Sequence, residues 1–116
     1  MAHPLDALAS PPETMTLGPL EVRPAEFQVL AGSRRAGLTV REFQTFWALA
    51  QRCDRVISRQ QVYELVWGGA MPRRDRSVDV FVRKVRQKLH ALAPEWEFVH
   101  THFGIGYRFN PERTRP

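Results

Sequence analysis

Seven Lys and Arg side chains, at positions 73, 74, 76, 83, 84, 86 and 88, crowd residues 71–92 against two carboxylates, Asp75 and Asp79. The stretch carries a net charge of +5, equal to that of the whole 116-residue chain, so the remainder is electrically balanced. Cations at this density suit phosphate oxygens, and arginine also pairs in bidentate fashion with guanine edges. Placed at 100° per residue, Val78, Val82, Val85, Leu89 and Leu92 fall on one side of a helix. Arg76, Ser77, Val80, Arg83, Lys84 and Gln87 point the opposite way, and Arg86 and Lys88 lie on the flanks. Such a face combines long cations with Ser, Gln and Val, which contact base edges and thymine methyls. The residues alone leave other readings open: RNA binding without sequence choice, docking of an acidic protein partner, or a solvated basic face.

Other chemistry finds little support. Cys53 stands among Arg52, Asp54 and Arg55, with no positioned base to make it a nucleophile, and reads as a structural or surface thiol. His100 and His102 alternate on one expected strand face, but two ligands do not make a structural metal site. The sequence therefore calls for no catalysis, metal or cofactor. Phe43, Phe46, Trp47, Trp67 and Tyr107 read as core residues, which argues against a single-strand binder that needs exposed stacking platforms. No apolar run is long enough for a membrane span. The first ten residues lack the features of a secretory signal, and the single cysteine excludes an intrachain disulfide framework, so a reducing cytoplasm is the default location.

The elements around the basic stretch must position it. Residues 1–13, with Pro4, Pro11 and Pro12, read as a flexible leader or linker remnant. Short apolar pieces then alternate with turn formers: Met15–Leu17, Leu20–Val22, Phe27–Leu30 and Arg35–Leu38, as in a small antiparallel meander. Thr39 and Glu42 form a capping box, with Leu38 and Phe43 as its hydrophobic staple, and Phe43, Phe46, Trp47 and Ala50 continue at helical spacing. Val56-Ile57 is a short extended link. Ser58 and Gln61 make a second capping box, stapled by Ile57 and Val62, ahead of a stripe of Val62, Leu65 and Val66. Gly68 follows that helix, and residues 68–74 form a loop. The basic helix starts at a cap near Asp75 or Ser77 and runs to about Leu92, before Pro94. Glu97–Thr101 and Gly106–Phe109 flank His102-Phe103-Gly104-Ile105 as a hairpin, and residues 111–116 form a tail. Three helices followed by a hairpin make a winged helix-turn-helix, an α+β fold.

In that order the residues resemble a known family. Leu38-Thr39 with Glu42-Phe43, Val56-Ile57-Ser58-Arg59 with Val62, and Val66-Trp67-Gly68 carry the first part of the likeness. Arg76-Ser77-Val78-Asp79-Val80, Arg83-Lys84-Val85-Arg86 with Lys88-Leu89, and Thr101 with Gly104-Ile105-Gly106-Tyr107-Arg108-Phe109 complete it. Over about residues 14–110 the chain resembles the OmpR/PhoB-type winged-helix effector domain of bacterial response regulators. The resemblance implies a four-stranded N-terminal antiparallel sheet, three helices and a C-terminal β-hairpin wing. It also implies sequence-specific binding of double-stranded DNA for transcription regulation, often by two protomers on direct-repeat half-sites.

By motif position, Ser77, Val80 and Lys84 align with the family's base-reading places, and Arg76, Phe81, Arg83 and Arg86 with its phosphate contacts. Arg73, Arg74 and Lys88 join the expected backbone-contacting set. His102, Phe103, Gly104, Tyr107 and Arg108 form the wing. Gly68, Gly69, Ala70 and Met71 stand where relatives touch RNA polymerase. Three departures stand out. Phe103 replaces the usual wing arginine and is expected to pack on the domain or on a sugar–phosphate backbone. Phe81 replaces a polar residue and borders the core stripe. Arg73 and Arg74 make the loop basic where many relatives are acidic. A response regulator also carries a receiver domain, which residues 1–13 are too short to hold, so an excised effector domain or a stand-alone regulator is expected.

Overall fold

The computed structural model describes residues 14–114. The expected leader at 1–13 lies outside the described residues, as do residues 115 and 116. Four short strands open the chain: β1 (Met15–Leu17), β2 (Leu20–Arg23), β3 (Gln28–Ala31) and β4 (Arg34–Arg35). They pair in chain order as an antiparallel meander, with Val22 opposite Val29. Leu20, Val22 and Val29 are buried, so this sheet covers one side of the core. Phe27, expected in a strand, instead ends a 3-10 turn over Pro24–Glu26 in the left-handed region, at φ 53°. Its ring meets Phe43 edge-on at 5.5 Å, so the turn anchors the sheet to the first helix.

That helix, α1 (Val40–Ala50), begins at the Thr39/Glu42 capping box, with both reciprocal hydrogen bonds formed. The second box, Ser58/Gln61, starts α2 (Arg59–Val66). Gly68 N–H closes α2 on the Tyr63 and Glu64 carbonyls. The inward stripe of α2 differs from expectation: Val62 is buried, but Leu65 is exposed. Arg59, Tyr63 and Val66 take the inward side with Val62, and Leu65 falls roughly 110° from their centre at 100° per residue. The basic helix is α3 (Ser77–Leu92), and it buries Val78, Val82, Val85, Leu89 and Leu92, the whole expected stripe.

Val56-Ile57 proves to be a strand, β5, rather than a mere link. It pairs with β7 (Gly106–Arg113), which pairs with β6 (Trp96–His102), giving a three-stranded sheet in the order β5-β7-β6. The register of β6 on β7 shifts between Glu97 and Val99. Such an irregularity lets consecutive residues face one way, and Phe98 and Val99 are both buried. Strand β7 continues past residue 110 to Arg113, and Pro111 in it comes against the Gly18 turn between β1 and β2. In chain order the four-stranded sheet comes first, then the three helices with β5 between the first two, then the β6–β7 wing. No helix among the described residues is long and apolar enough to cross a membrane.

Candidate nucleic-acid interface

Helix α3 is fixed from both flanks. On one flank, the Lys88 ammonium lies 2.6 Å from Glu42 Oε1 and also donates to the Gly37 carbonyl. Glu42 is buried, and its other role is to cap α1. Burial alone would push its carboxyl up, but Lys88 and the Thr39 N–H outweigh burial and hold it below the ordinary glutamate value. Higher on the same flank, Phe81 meets Trp67 edge-on at 5.5 Å, and Trp67 stacks on Tyr63 at 5.3 Å. Arg41 lies over Trp67 and donates to the Val66 carbonyl, which seats the end of α2 against α1. Phe81 is therefore half-buried, as its place beside the core stripe implied.

The other flank faces the wing. Asp79 accepts the Tyr107 hydroxyl at 2.6 Å on one oxygen and Arg59 Nη2 at 2.7 Å on the other. One carboxylate thus joins α2, α3 and β7. Burial and this hydrogen bond to an anion push the Tyr107 hydroxyl up to about 12. Arg86 reaches β6 from Nε and Nη2, bonding the Val99 carbonyl and Thr101 Oγ1. At the start of α3, the Asp75 carboxylate accepts the Ser77 N–H at 2.7 Å, and hydrogen bonding from the Ser77 side chain and then its backbone holds the acid below its ordinary value. The geometric cap residue is Arg76, and the capping oxygen comes from its neighbour.

Between these flanks runs the outward face. Arg76, Val80, Arg83 and Lys84 are exposed there, and Arg73 and Arg74 extend the row into the preceding loop. None of Arg73, Arg74, Arg76, Arg83 and Lys84 forms an ion pair with another described residue. Lys84 rests over the Phe81 ring at 4.9 Å, an attraction that steadies the ammonium without neutralising it. Ser77 is half-buried at the top of the face.

The wing residues separate into two groups. Tyr107 is buried and serves the Asp79 junction. Arg108 pairs with Asp54 at 2.9 Å and with Glu112 at 3.6 Å, and its Nε donates to His102 Nε2. His102 and Arg108 are thus tied to each other inside the wing. Of the two expectations for Phe103, packing on the domain does not hold: it is 91% exposed at the tip, where nothing in the domain reaches it. In the loop after α2, Gly68, Gly69 and Ala70 are exposed. Met71 is packed against the core and donates its N–H to Gln60. The signal for Arg59, Asp79 and Glu42 was partly visible in sequence, since Glu42 belongs to a capping box. Their long-range partners were not.

A helix-turn-helix whose second member presents free cations, with a tethered hairpin beside it, defines a winged helix-turn-helix domain of the kind used on nucleic acids. The family model described as "Transcriptional regulatory protein, C terminal" matches residues 33–109, and the chain belongs to that family. The transcriptional regulatory protein PrrA of Mycobacterium tuberculosis is 38% identical over 95 residues, covering 82% of this chain and 40% of the relative. The transcriptional regulatory protein CreB of Escherichia coli is 32% identical over 99 residues, covering 85% of this chain and 43% of the relative. The chain therefore spans about two fifths of the length of these curated relatives. Among solved structures, the Klebsiella pneumoniae RstA DNA-binding domain in complex with the RstA box superposes with a TM-score of 0.76 at 30% identity, covering 86% of this chain and 99% of that one. The DNA-binding domain of CpxR from Escherichia coli gives 0.75 at 26% identity, covering 87% and 97%. These likenesses establish the winged-helix fold and the class, a transcriptional-regulator DNA-binding domain.

Proposed function

We propose that this domain binds double-stranded DNA sequence-specifically, with α3 in the major groove and the β6–β7 wing at the adjacent minor groove or backbone. The observation that carries the reading is the outward face of α3, a row of cations free of internal ion pairs on a helix clamped at both flanks. A helix already fixed in place loses little backbone entropy when its side chains meet phosphates. Ser77, Val80 and Lys84 are the base-reading residues in this reading, and Arg73, Arg74, Arg76 and Arg83 the phosphate contacts. Arg86 and Lys88 mainly hold the helix, although Nη1 of Arg86 takes no part in the wing clamp and remains available to a phosphate. The similar RstA domain is described in complex with its DNA box, which supports duplex DNA over RNA or an acidic protein as the ligand.

The reading extends to two copies on direct-repeat half-sites, to RNA polymerase at the exposed 68–70 loop, and to a place beside the bacterial chromosome in the cytoplasm. Selection of bound duplexes from a random-sequence pool tests it. One motif should emerge, repeated in direct orientation where two copies bind. Anisotropy titrations should then show Lys84→Ala losing about 1–3 kcal/mol on the selected duplex and accepting other bases at one position. Equal losses on selected and random DNA would remove the base-reading role of Lys84. Absence of duplex binding at low salt, or equal binding to random RNA, would overturn the proposal.

A further inference from the structure

Among the described residues, Phe103 and Ile105 are the most exposed large hydrophobic side chains, at 91% and 64%. A single exposed apolar residue is ordinary. Two on the tip of one stiff hairpin form a shaped apolar point. The Ile105 N–H donates to the His102 carbonyl at 2.9 Å, and Gly104 turns the chain in the left-handed region at φ 77°. Below the tip, His102 faces Gly106 and Thr101 faces Tyr107. A Cβ on Gly106 would run into the Ile57 carbonyl, so the hairpin lies flush against β5. Arg86 and Tyr107 pin the base of the same hairpin to α3. The tip therefore stands at a fixed offset from the outward face of that helix. The nearby cation, Arg108, is occupied by Asp54, Glu112 and His102. Residues 103–105 themselves carry no charge, so contact made there is apolar rather than electrostatic.

We propose that Phe103, with Ile105 on the same tip, is an apolar wedge that enters the minor groove beside the major-groove site of α3, partly unstacks one base step and bends the duplex. The inference rests on the DNA-binding reading above. A phenyl ring cannot hydrogen-bond the acceptors on the minor-groove floor. It discriminates through the energy of opening a step, which is lowest at the flexible pyrimidine–purine steps TA and CA/TG. The wedge thus selects a deformable step at a set distance from the motif read by Ser77, Val80 and Lys84, without a polar contact to it. Because no counterion is displaced by a ring, its contribution is independent of salt, unlike that of the helix cations.

The test selects duplexes from one random pool with the wild-type domain and with Phe103→Ala, and sequences both. The wild-type pool should hold the major-groove motif with a TA or CA/TG step at fixed spacing, and the variant pool the motif alone. On a wild-type-selected duplex, Phe103→Ala should bind about tenfold more weakly, the order of one lost base–aromatic contact, with an unchanged slope of log K against log salt. Energy transfer between duplex ends should report a bend with wild type and with Phe103→Leu, and a straighter duplex with Phe103→Ala. Since the ring touches nothing inside the domain, the thermal midpoint of Phe103→Ala should match wild type. Identical pools and affinities for wild type and Phe103→Ala would overturn the wedge, as would a variant that loses only DNA-bound dimers, which would make the tip a contact with a second copy. A wild-type pool without any motif would instead overturn the DNA-binding reading beneath it, a distinct result.

Discussion

On the outward face of α3, Arg76, Arg83 and Lys84 stand in solvent without an internal ion pair, while on its flanks Arg86, Lys88 and Asp79 are locked to other elements. All lie on one helix or at its cap, and they differ in rotation about its axis and in position along it. Asp79, Arg83 and Arg86 share the stripe nearest the wing, so the free Arg83 lies between two tethers. Labour on the helix is divided: the flank groups fix where it sits, and the face groups are left for a partner. Substitutions on the flanks should therefore cost stability first. Substitutions on the face should leave stability intact and cost binding.

The sharpest way to break this division is Asp79→Ala, which removes the acceptor for both Tyr107 and Arg59. Loss of two hydrogen bonds to a carboxylate, one of them an ion pair, should destabilise the domain by about 2–3 kcal/mol, a figure kept modest because both partners of the ion pair are partly exposed. Urea unfolding followed by circular dichroism measures it, and a loss below about 0.5 kcal/mol would mean that the wing is held by packing alone.

Lys88→Ala should come next, at about 1–2 kcal/mol, because it strips a buried carboxylate of its cation. The pH dependence carries its own sign. Glu42 is held below its ordinary value of 4.5 in the fold, so its stabilisation is complete above that value and is lost as pH falls through the lower, folded-state value. Melts at descending pH should show a steep acid limb in wild type and a shallower one in Glu42→Gln. Lys88→Ala should flatten the same limb, since the cation that lowers Glu42 is gone.

Tyr107→Phe should cost about 1 kcal/mol near neutral pH, the ordinary worth of one hydrogen bond. Tyr107 keeps its proton in the fold until about 12, against 10.0 for the free side chain. Its contribution is therefore present below 10 and declines as pH rises from there toward 12. Thermal midpoints on that alkaline limb should converge between wild type and the phenylalanine variant. The smallest effect on stability belongs to the face. Arg83→Ala should unfold within about 0.5 kcal/mol of wild type, yet bind every duplex more weakly and lower the salt slope by about one unit. A destabilised Arg83→Ala would erase the distinction between face and flank.

Much of this fold was legible in the sequence where the signal is local. Both capping boxes formed as their spacing required, and the apolar stripe of α3 is buried at every expected position. Short segments were less legible. Val56-Ile57 is too brief to announce itself, and becomes a strand only because β7 offers an edge to pair with. Phe27 left its expected strand because Pro24 starts a tight turn that must end in a left-handed residue. Leu65 carries an apolar side chain on a helix too short to fix its own orientation, and Tyr63 took the inward side instead, stacked on Trp67 just past the helix end. Phe103 finds no cover within the domain, because a hairpin tip has no neighbouring element to supply it.

Capping, helical period and turn chemistry act over a few residues, so the order of amino acids alone fixes where the charge lies, which helix carries it and the order of helices and hairpin. Which cations remain free is set by how the elements pack. Lys88 meets Glu42 across 46 residues, Asp79 meets Tyr107 across 28, and Arg86 meets Thr101 across 15. Ion pairs and hydrogen bonds at such separations depend on how the elements pack, so a helical wheel places Arg83 and Arg86 side by side while folding leaves one open to a partner and fastens the other to the wing.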